Sequence, residues 1–161
     1  MPTKRSTDPI AQLMQEHNDA LLQLKLLNKA AMALAQDGYS AKVYNQMVAA
    51  LHFIDEEVSV HNHKEESALF PVLERYVDGP TRMMRDDHRQ LRKAFVKLSK
   101  AVAEVHANRD SFSAIKKLRE VAKEVVQSFV NHIHKENYIL FPLVQKLLTK
   151  DELREVAKKM L

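Results

Sequence analysis

Six side chains stand out by type and spacing: His17, His61, Glu65, His88, His132 and Glu136. His61 and Glu65 are four residues apart, and so are His132 and Glu136. On an α-helix such a pair lies about 40° apart around the axis and roughly 6 Å along it, so both groups can point at one ion. The chain has no cysteine, which removes disulfides, iron–sulfur clusters, thiolate zinc sites and cysteine nucleophiles together. Any metal must then bind through His and carboxylates. Such mixed donors suit Fe, Mn or Zn, and an incomplete ligand shell favours iron where oxygen chemistry is intended.

The candidates are duplicated. His61-Asn62-His63-Lys64-Glu65, followed by Leu69-Phe70-Pro71, returns 71 positions later as His132-Ile133-His134-Lys135-Glu136, followed by Leu140-Phe141-Pro142. His17 and His88 are separated by the same 71 positions. The two halves therefore read as duplicated helical hairpins related by an approximate twofold. Each half supplies His-x3-Glu from one helix and a single His from its partner, the logic by which carboxylate-bridged bundles hold two metals. The expected pairing is His17 with His61 on one metal and His88 with His132 on the other, with Glu65 and Glu136 bridging.

Energetics favours ligands over ordinary core residues. One buried His is commonly satisfied by a backbone carbonyl, but six ionisable groups on one level of a dry core are another matter. Each unpaired carboxylate would cost several kcal/mol or take up a proton. A pair of cations resolves this; a purely proteinaceous His–Glu hydrogen-bond network is the structural alternative. His63 and His134 lie two positions after a ligand, about 200° around the helix, and are expected to face away as surface or supporting groups. His52 and His106 match no ligand pattern. Glu66 and Asn137, each five residues after its histidine, can reach the edge of the site, and Met14 and Met84 are read as packing.

The elements that must position these groups are helices. Gly occurs only 2 times and Pro 5 times in 161 residues, whereas helix formers abound, which predicts an all-α protein. Asp8-Pro9 opens a first helix running to Ala35, and Ser40 caps a second from about 41 into the 70s. Asp78-Gly79-Pro80 precedes a third, from about 81 to 106, and a fourth runs from about 112 to 147. Pro71 and Pro142 should kink or restart helices two and four. Thr149 and Glu152 form a capping-box pattern that opens a short C-terminal helix, 149–160. Short connections make sequential helices antiparallel, giving an up-down-up-down four-helix bundle with its core over 10–147, and 161 residues with 45% hydrophobic content fit a single domain, 1–161.

The apolar seams are legible by their three-or-four spacing. They run through Leu13, Leu21 and Leu24 on the first helix, Leu51, Ile54 and Val58 on the second, Leu91, Phe95 and Leu98 on the third, and Val125, Phe129 and Ile139 on the fourth. No apolar run approaches the roughly 20 residues that cross a bilayer, and the opening Met-Pro-Thr-Lys-Arg-Ser-Thr-Asp-Pro has no apolar signal region, so a soluble cytoplasmic protein is expected. The net charge is +4. Arg82, Arg85, Arg89, Arg92, Lys93, Lys97 and Lys100 form a basic stripe at helical spacing, read as a solvated face, since 6% aromatics offer little for stacking on bases.

His17, the His61-x3-Glu65 motif with its Leu-Phe-Pro tail, His88, and the His132-x3-Glu136 motif with its own Leu-Phe-Pro resemble the hemerythrin-like, or HHE cation-binding, family over roughly 10–147. The resemblance implies a four-helix bundle holding two iron ions, a non-haem di-iron centre bridged by carboxylates and an oxo or hydroxo group, that binds dioxygen, nitric oxide or peroxide. Oxygen-carrying members have a His-x3-His pair on the third helix, where this chain has Met84, and a His-x4-Asp on the fourth, where it has Asn137. Four His and two Glu look instead like the set of the bacterial proteins that repair iron centres, which also carry a cysteine-containing N-terminal region that this chain lacks.

Two histidines and two bridging carboxylates leave positions open on both metals, which favours reaction over reversible storage. The expected function is binding of, and reaction with, dioxygen, peroxide or nitric oxide in oxidative or nitrosative stress or iron handling, making an oxidoreductase possible. The alternative is an oxygen- or iron-sensing module without turnover. A monomer or weak homo-oligomer is expected, with a small diatomic or peroxide as partner and neither a membrane nor a nucleic acid.

Overall fold

The computed structural model describes residues 8–161. The reading of Met1–Thr7 as free of an apolar signal lies outside them. Within them every regular element is helical.

Three of the four long helices start where a polar side chain satisfies an N–H group left open by the first turn. Asp8 Oδ1 accepts from the Ile10 N–H at 2.9 Å and Pro9, which has no N–H to lose, takes the first position of α1 (Pro9–Asp37). Gly38, at φ +86°, ends it in a backbone region that an L side chain rarely enters. Ser40 caps α2 (Ala41–Lys64) through the Val43 N–H. One π-helical turn, Glu65–Leu69, joins α2 to the short α3 (Phe70–Leu73). The buried Thr81 hydroxyl donates to the Asp78 carbonyl at the start of α4 (Gly79–Ala107). Ser111 caps α5 (Phe112–Lys135), which passes through a second π-helical turn, Glu136–Leu140, into α6 (Phe141–Leu147). Thr149 and Glu152 close a reciprocal capping box on α7 (Lys150–Lys159), with bonds of 3.1 and 3.0 Å.

The long helices form the expected bundle: α1 packs along α2 and α5, α4 along α5, while α2 and α4 meet over a short length only. At the prolines the helices restart, as one of the two expected outcomes, each after a π-helical turn. In each repeat the irregular turn begins at the glutamate, six residues before the proline, and the amides of Phe70 and Phe141 bond back to the carbonyls of Glu65 and Glu136. A π-turn widens the ladder by one residue, which makes room for a ring that would otherwise clash with the carbonyl four residues back. It also shifts the register of everything after it. Ile139, expected in the fourth seam, is 62% exposed, while Leu140 and Phe141 turn inward. Met84 packs in the core as expected, but Met14 is largely exposed, and Leu21, Leu51, Val58 and Phe95 are only half-buried.

Two hydrophobic cores result. One holds Leu24, Leu34, Ile54, Leu98, Leu118 and Phe129; the other holds Ile10, Leu13, Phe70, Met84, Phe141 and Val156, so α7 covers that end. On all four long helices the candidate ligands fall between these two sets.

Candidate metal centre

A layer of ionisable groups separates the two cores. Glu65 and Glu136 are completely buried, and His17, His61, His88 and His132 are 1–6% exposed. The chain brings together all six residues singled out by spacing, as two overlapping groups. His17, His61, Glu65 and Glu136 present donor atoms within 4.8 Å of one another, and so do Glu65, His88, His132 and Glu136. The two carboxylates are common to both groups. His61 Nε2 and His132 Nε2 each lie 3.1 Å from the Oε1 of the glutamate four residues on, and His17 Nε2 lies 3.1 Å from Glu136 Oε1. His88 Nε2 is 3.4 Å from Glu65 Oε1.

The orientation of each ring is set from its far side. His17 Nδ1 bonds to Asn137 Oδ1 at 2.7 Å and His88 Nδ1 to Glu66 Oε1 at 2.9 Å. His61 Nδ1 bonds to Glu16 Oε1 at 3.2 Å and His132 Nδ1 to Asp87 Oδ2 at 3.0 Å. Every acceptor is a side-chain oxygen, so each Nδ1 donates, and the Nε2 lone pairs are directed inward. Glu66 and Asn137 reach the site's edge as expected. Glu16 and Asp87 are new: each precedes a single His, and each is held by a lysine, Lys64 at 2.9 Å and Lys135 at 3.0 Å. The Leu-Phe-Pro phenylalanines take part as well, Phe141 stacking on His17 at 5.4 Å and Phe70 on His88 at 5.9 Å. His17 and His88 are thus each supported by the opposite hairpin, and His61 and His132 by their own.

His63 and His134 are exposed, the latter edge-on to Tyr138. His52 pairs with Glu56 at the surface and His106 stacks on Tyr44. Arg82, Arg85 and Arg89 of the basic stripe are paired with Asp78, Glu74 and Asp86, and Arg92, Lys93, Lys97 and Lys100 are exposed.

The inner atoms show what the layer is built to hold. The Nε2 atoms of His61, His88 and His132, both oxygens of Glu65 and Oε2 of Glu136 are buried and form no hydrogen bond. Orphaned buried polar atoms are rare and each costs about 1–3 kcal/mol or more. Here they are nitrogen and oxygen donors converging on one space, so the residues fit a bound cation.

Without one, protons take its place. Burial works against charge on His132, yet Glu136 and Asp87 overcome it and raise the pKa to about 8. His61 and His88 are likewise raised against burial by the surrounding carboxylates, His61 strongly. Burial pushes the Glu136 carboxyl up, but contacts with Glu65, His132, His17 and His61 hold it well below its usual range. A raised imidazole pKa stabilises the fold fully below the unfolded value of 6.5 and ceases to do so as pH rises through about 8. The depressed carboxyl stabilises above 4.5 and ceases to do so under acid. Chelated protein should therefore lose melting temperature between pH 6.5 and 8, whereas metal binding releases protons and tightens over the same range. Melting curves with and without metal at both ends of that range should show a gap that widens with pH; a constant gap contradicts this electrostatic account.

A helical bundle whose centre is an imidazole–carboxylate layer defines a class, the metal-binding four-helix bundles. Residues 8–144 match the Hemerythrin HHE cation binding domain, and the chain belongs to that family. Among curated proteins it is 29% identical over 139 residues to the Iron-sulfur cluster repair protein DnrN of Neisseria gonorrhoeae, covering 82% of this chain and 86% of that one. It is 28% identical over 100 residues to the Iron-sulfur cluster repair protein YtfE of Yersinia pseudotuberculosis and of Yersinia pestis, covering 60% of this chain. The matched region is 45% of each YtfE protein, so this chain spans under half their length. The family implies a metal site, and the buried histidines and glutamates are suited to one. Among the described residues no helix is long and apolar enough to cross a membrane.

Proposed function

We propose that the layer is a non-haem di-iron centre in which His17 and His61 hold one iron, His88 and His132 the other, and Glu65 and Glu136 bridge them. The observation that carries this reading is the overlap: two four-donor groups that share both carboxylates. Iron, when bound, supplies redox chemistry towards dioxygen, peroxide or nitric oxide. The protein's own residues supply the rest. Asn137, Glu16, Glu66 and Asp87 hold the four rings in one tautomer; Phe70 and Phe141 roof two of them; the apolar layers above and below exclude bulk water.

A cavity of about 260 Å³ on the short α2–α4 contact, walled by Ile54, Val58, Asn62, Leu91 and Phe95, reaches His88 and has room for a diatomic or peroxide. The relatives are named iron-sulfur cluster repair proteins, which supports a role in repairing iron centres; a task under oxidative or nitrosative stress, in the cytoplasm, is part of the same proposal. The test is anaerobic reconstitution with ferrous iron followed by peroxide, nitric oxide or dioxygen separately. Turnover proportional to iron content is the expected result, and iron-loaded protein inert to all three would refute reaction. A sensing role is the second reading, favoured by the support that His17 and His88 each draw from the opposite hairpin, which ties metal occupancy to the packing of the two halves. Reversible binding without turnover would select it.

A further inference from the structure

The repeat that duplicates the ligands breaks down at five positions beside them. Asp19, Ala20, Glu57, Val58 and Asn62 in the first hairpin correspond, 71 residues on, to Gln90, Leu91, Ser128, Phe129 and Ile133 in the second. The first set is acidic, small and polar; the second is neutral, large and apolar. Leu91, Phe129 and Ile133 are 3–6% exposed and put bulk where the first hairpin has Ala20, Val58 and Asn62; Leu91 and Phe129 also wall the larger cavity between α2 and α4 that reaches His88. On the first side, a narrow cavity of about 30 Å³ opens between α1 and α2, lined by Asp19, Glu57, Ala20, Val58 and His61 on those helices, with Leu91, Phe129 and Ile133 as its far wall and His132 and Glu136 at its inner end. That is room for about one water or one largely dehydrated ion.

We propose that the metal ions enter the layer through this acidic mouth between α1 and α2, and that the equivalent seam between α4 and α5 is sealed. The inference rests on the reading of the layer as a metal site. Two observations carry it together. Asp19 and Glu57 are exposed at the rim, and neither forms an ion pair among the described residues; Gln15 alone donates to Asp19. Behind them His61, His132 and Glu136 line the same cavity, and the Nε2 atoms of both histidines and Oε2 of the glutamate are buried without a hydrogen-bond partner. Glu16 adds little net charge to the mouth, since Lys64 and His61 share its carboxylate. A chain of net charge +4 repels cations on average, so a local acidic entrance has a task to perform: charged rims raise the local counter-ion concentration and speed association.

The test is stopped-flow uptake of cobalt(II) by the metal-free full chain, followed by cobalt absorbance, with the final stoichiometry measured separately. Asp19→Asn with Glu57→Gln is expected to slow uptake about tenfold at low ionic strength, with final stoichiometry unchanged and the difference shrinking as salt screens the rim. Ala20→Leu should slow uptake at every salt concentration by narrowing the wall. Gln90→Asp with Ser128→Glu should change nothing, because Leu91 and Phe129 still seal that side. Wild-type rates in the Asp19/Glu57 variant at full stoichiometry would overturn the route and leave the metal site standing. Acceleration in the Gln90/Ser128 variant would overturn the sealing. Failure of the wild-type chain to retain cobalt at all would remove both the route and the site it serves.

Discussion

Glu136→Ala is expected to reduce retained iron from about two ions per chain to fewer than one, an effect that only loss of the other shared carboxylate, Glu65, should equal. Its carboxylate belongs to both donor groups, so its loss removes a ligand from each ion at once. His132→Ala, which belongs to one group, should vacate mainly one site. His63→Ala and His134→Ala should leave loading unchanged, since both rings are exposed. Metal analysis after anaerobic reconstitution separates these outcomes, and far-UV circular dichroism confirms that each variant is folded. Equal loading in all four variants would contradict the ligand assignment.

The second large effect is on stability. A ligand at a thousandfold excess over its dissociation constant stabilises the folded state by about 4 kcal/mol, so two ions contribute on the order of 8 kcal/mol. For a chain of this size about 2–4 °C accompanies each kcal/mol. Chelation should therefore lower the melting temperature by roughly 15–30 °C at pH 8. The physical source is the set of orphaned nitrogens and oxygens between the two cores, which bound ions would satisfy. Because His17 and His88 lean on opposite hairpins, loss of metal should loosen α1 against α5, read as faster amide exchange around His17 and Asn137. A shift of only a few degrees, with exchange unchanged, would mean that the layer is stable on its own as a hydrogen-bonded network.

The six inner residues were legible because both devices that reveal them run along the chain: four-residue spacing within a helix and a repeat between halves. The caps at Asp8, Ser40 and Thr149 were legible for the same reason, being local chemistry. What lay beyond reach was tertiary. Glu16 and Asp87 act on histidines 45 residues away on a neighbouring helix, and no spacing rule links them. A signal did exist, since Glu16 and Asp87 obey the 71-residue offset, as do Lys64 and Lys135. Ile139 was misplaced for a different reason. The π-turn that begins at Glu136 adds a residue to the ladder, and a periodicity of 3.6 extended through it points the wrong side chain inward. The same turn sets the register that brings Phe141 onto His17, so the irregularity that defeats the pattern also builds the site.

On the di-iron reading proposed above, duplicated hairpins aim four imidazoles and two carboxylates at a pair of ions. The most direct test is a crystal structure of protein reconstituted with iron, with anomalous differences collected on both sides of the iron edge. Two iron peaks between Glu65 and Glu136, one beside His17 and His61 and the other beside His88 and His132, are predicted. A layer without iron, a lone peak serving a single histidine pair, or iron held at exposed histidines such as His63 and His134 would contradict it.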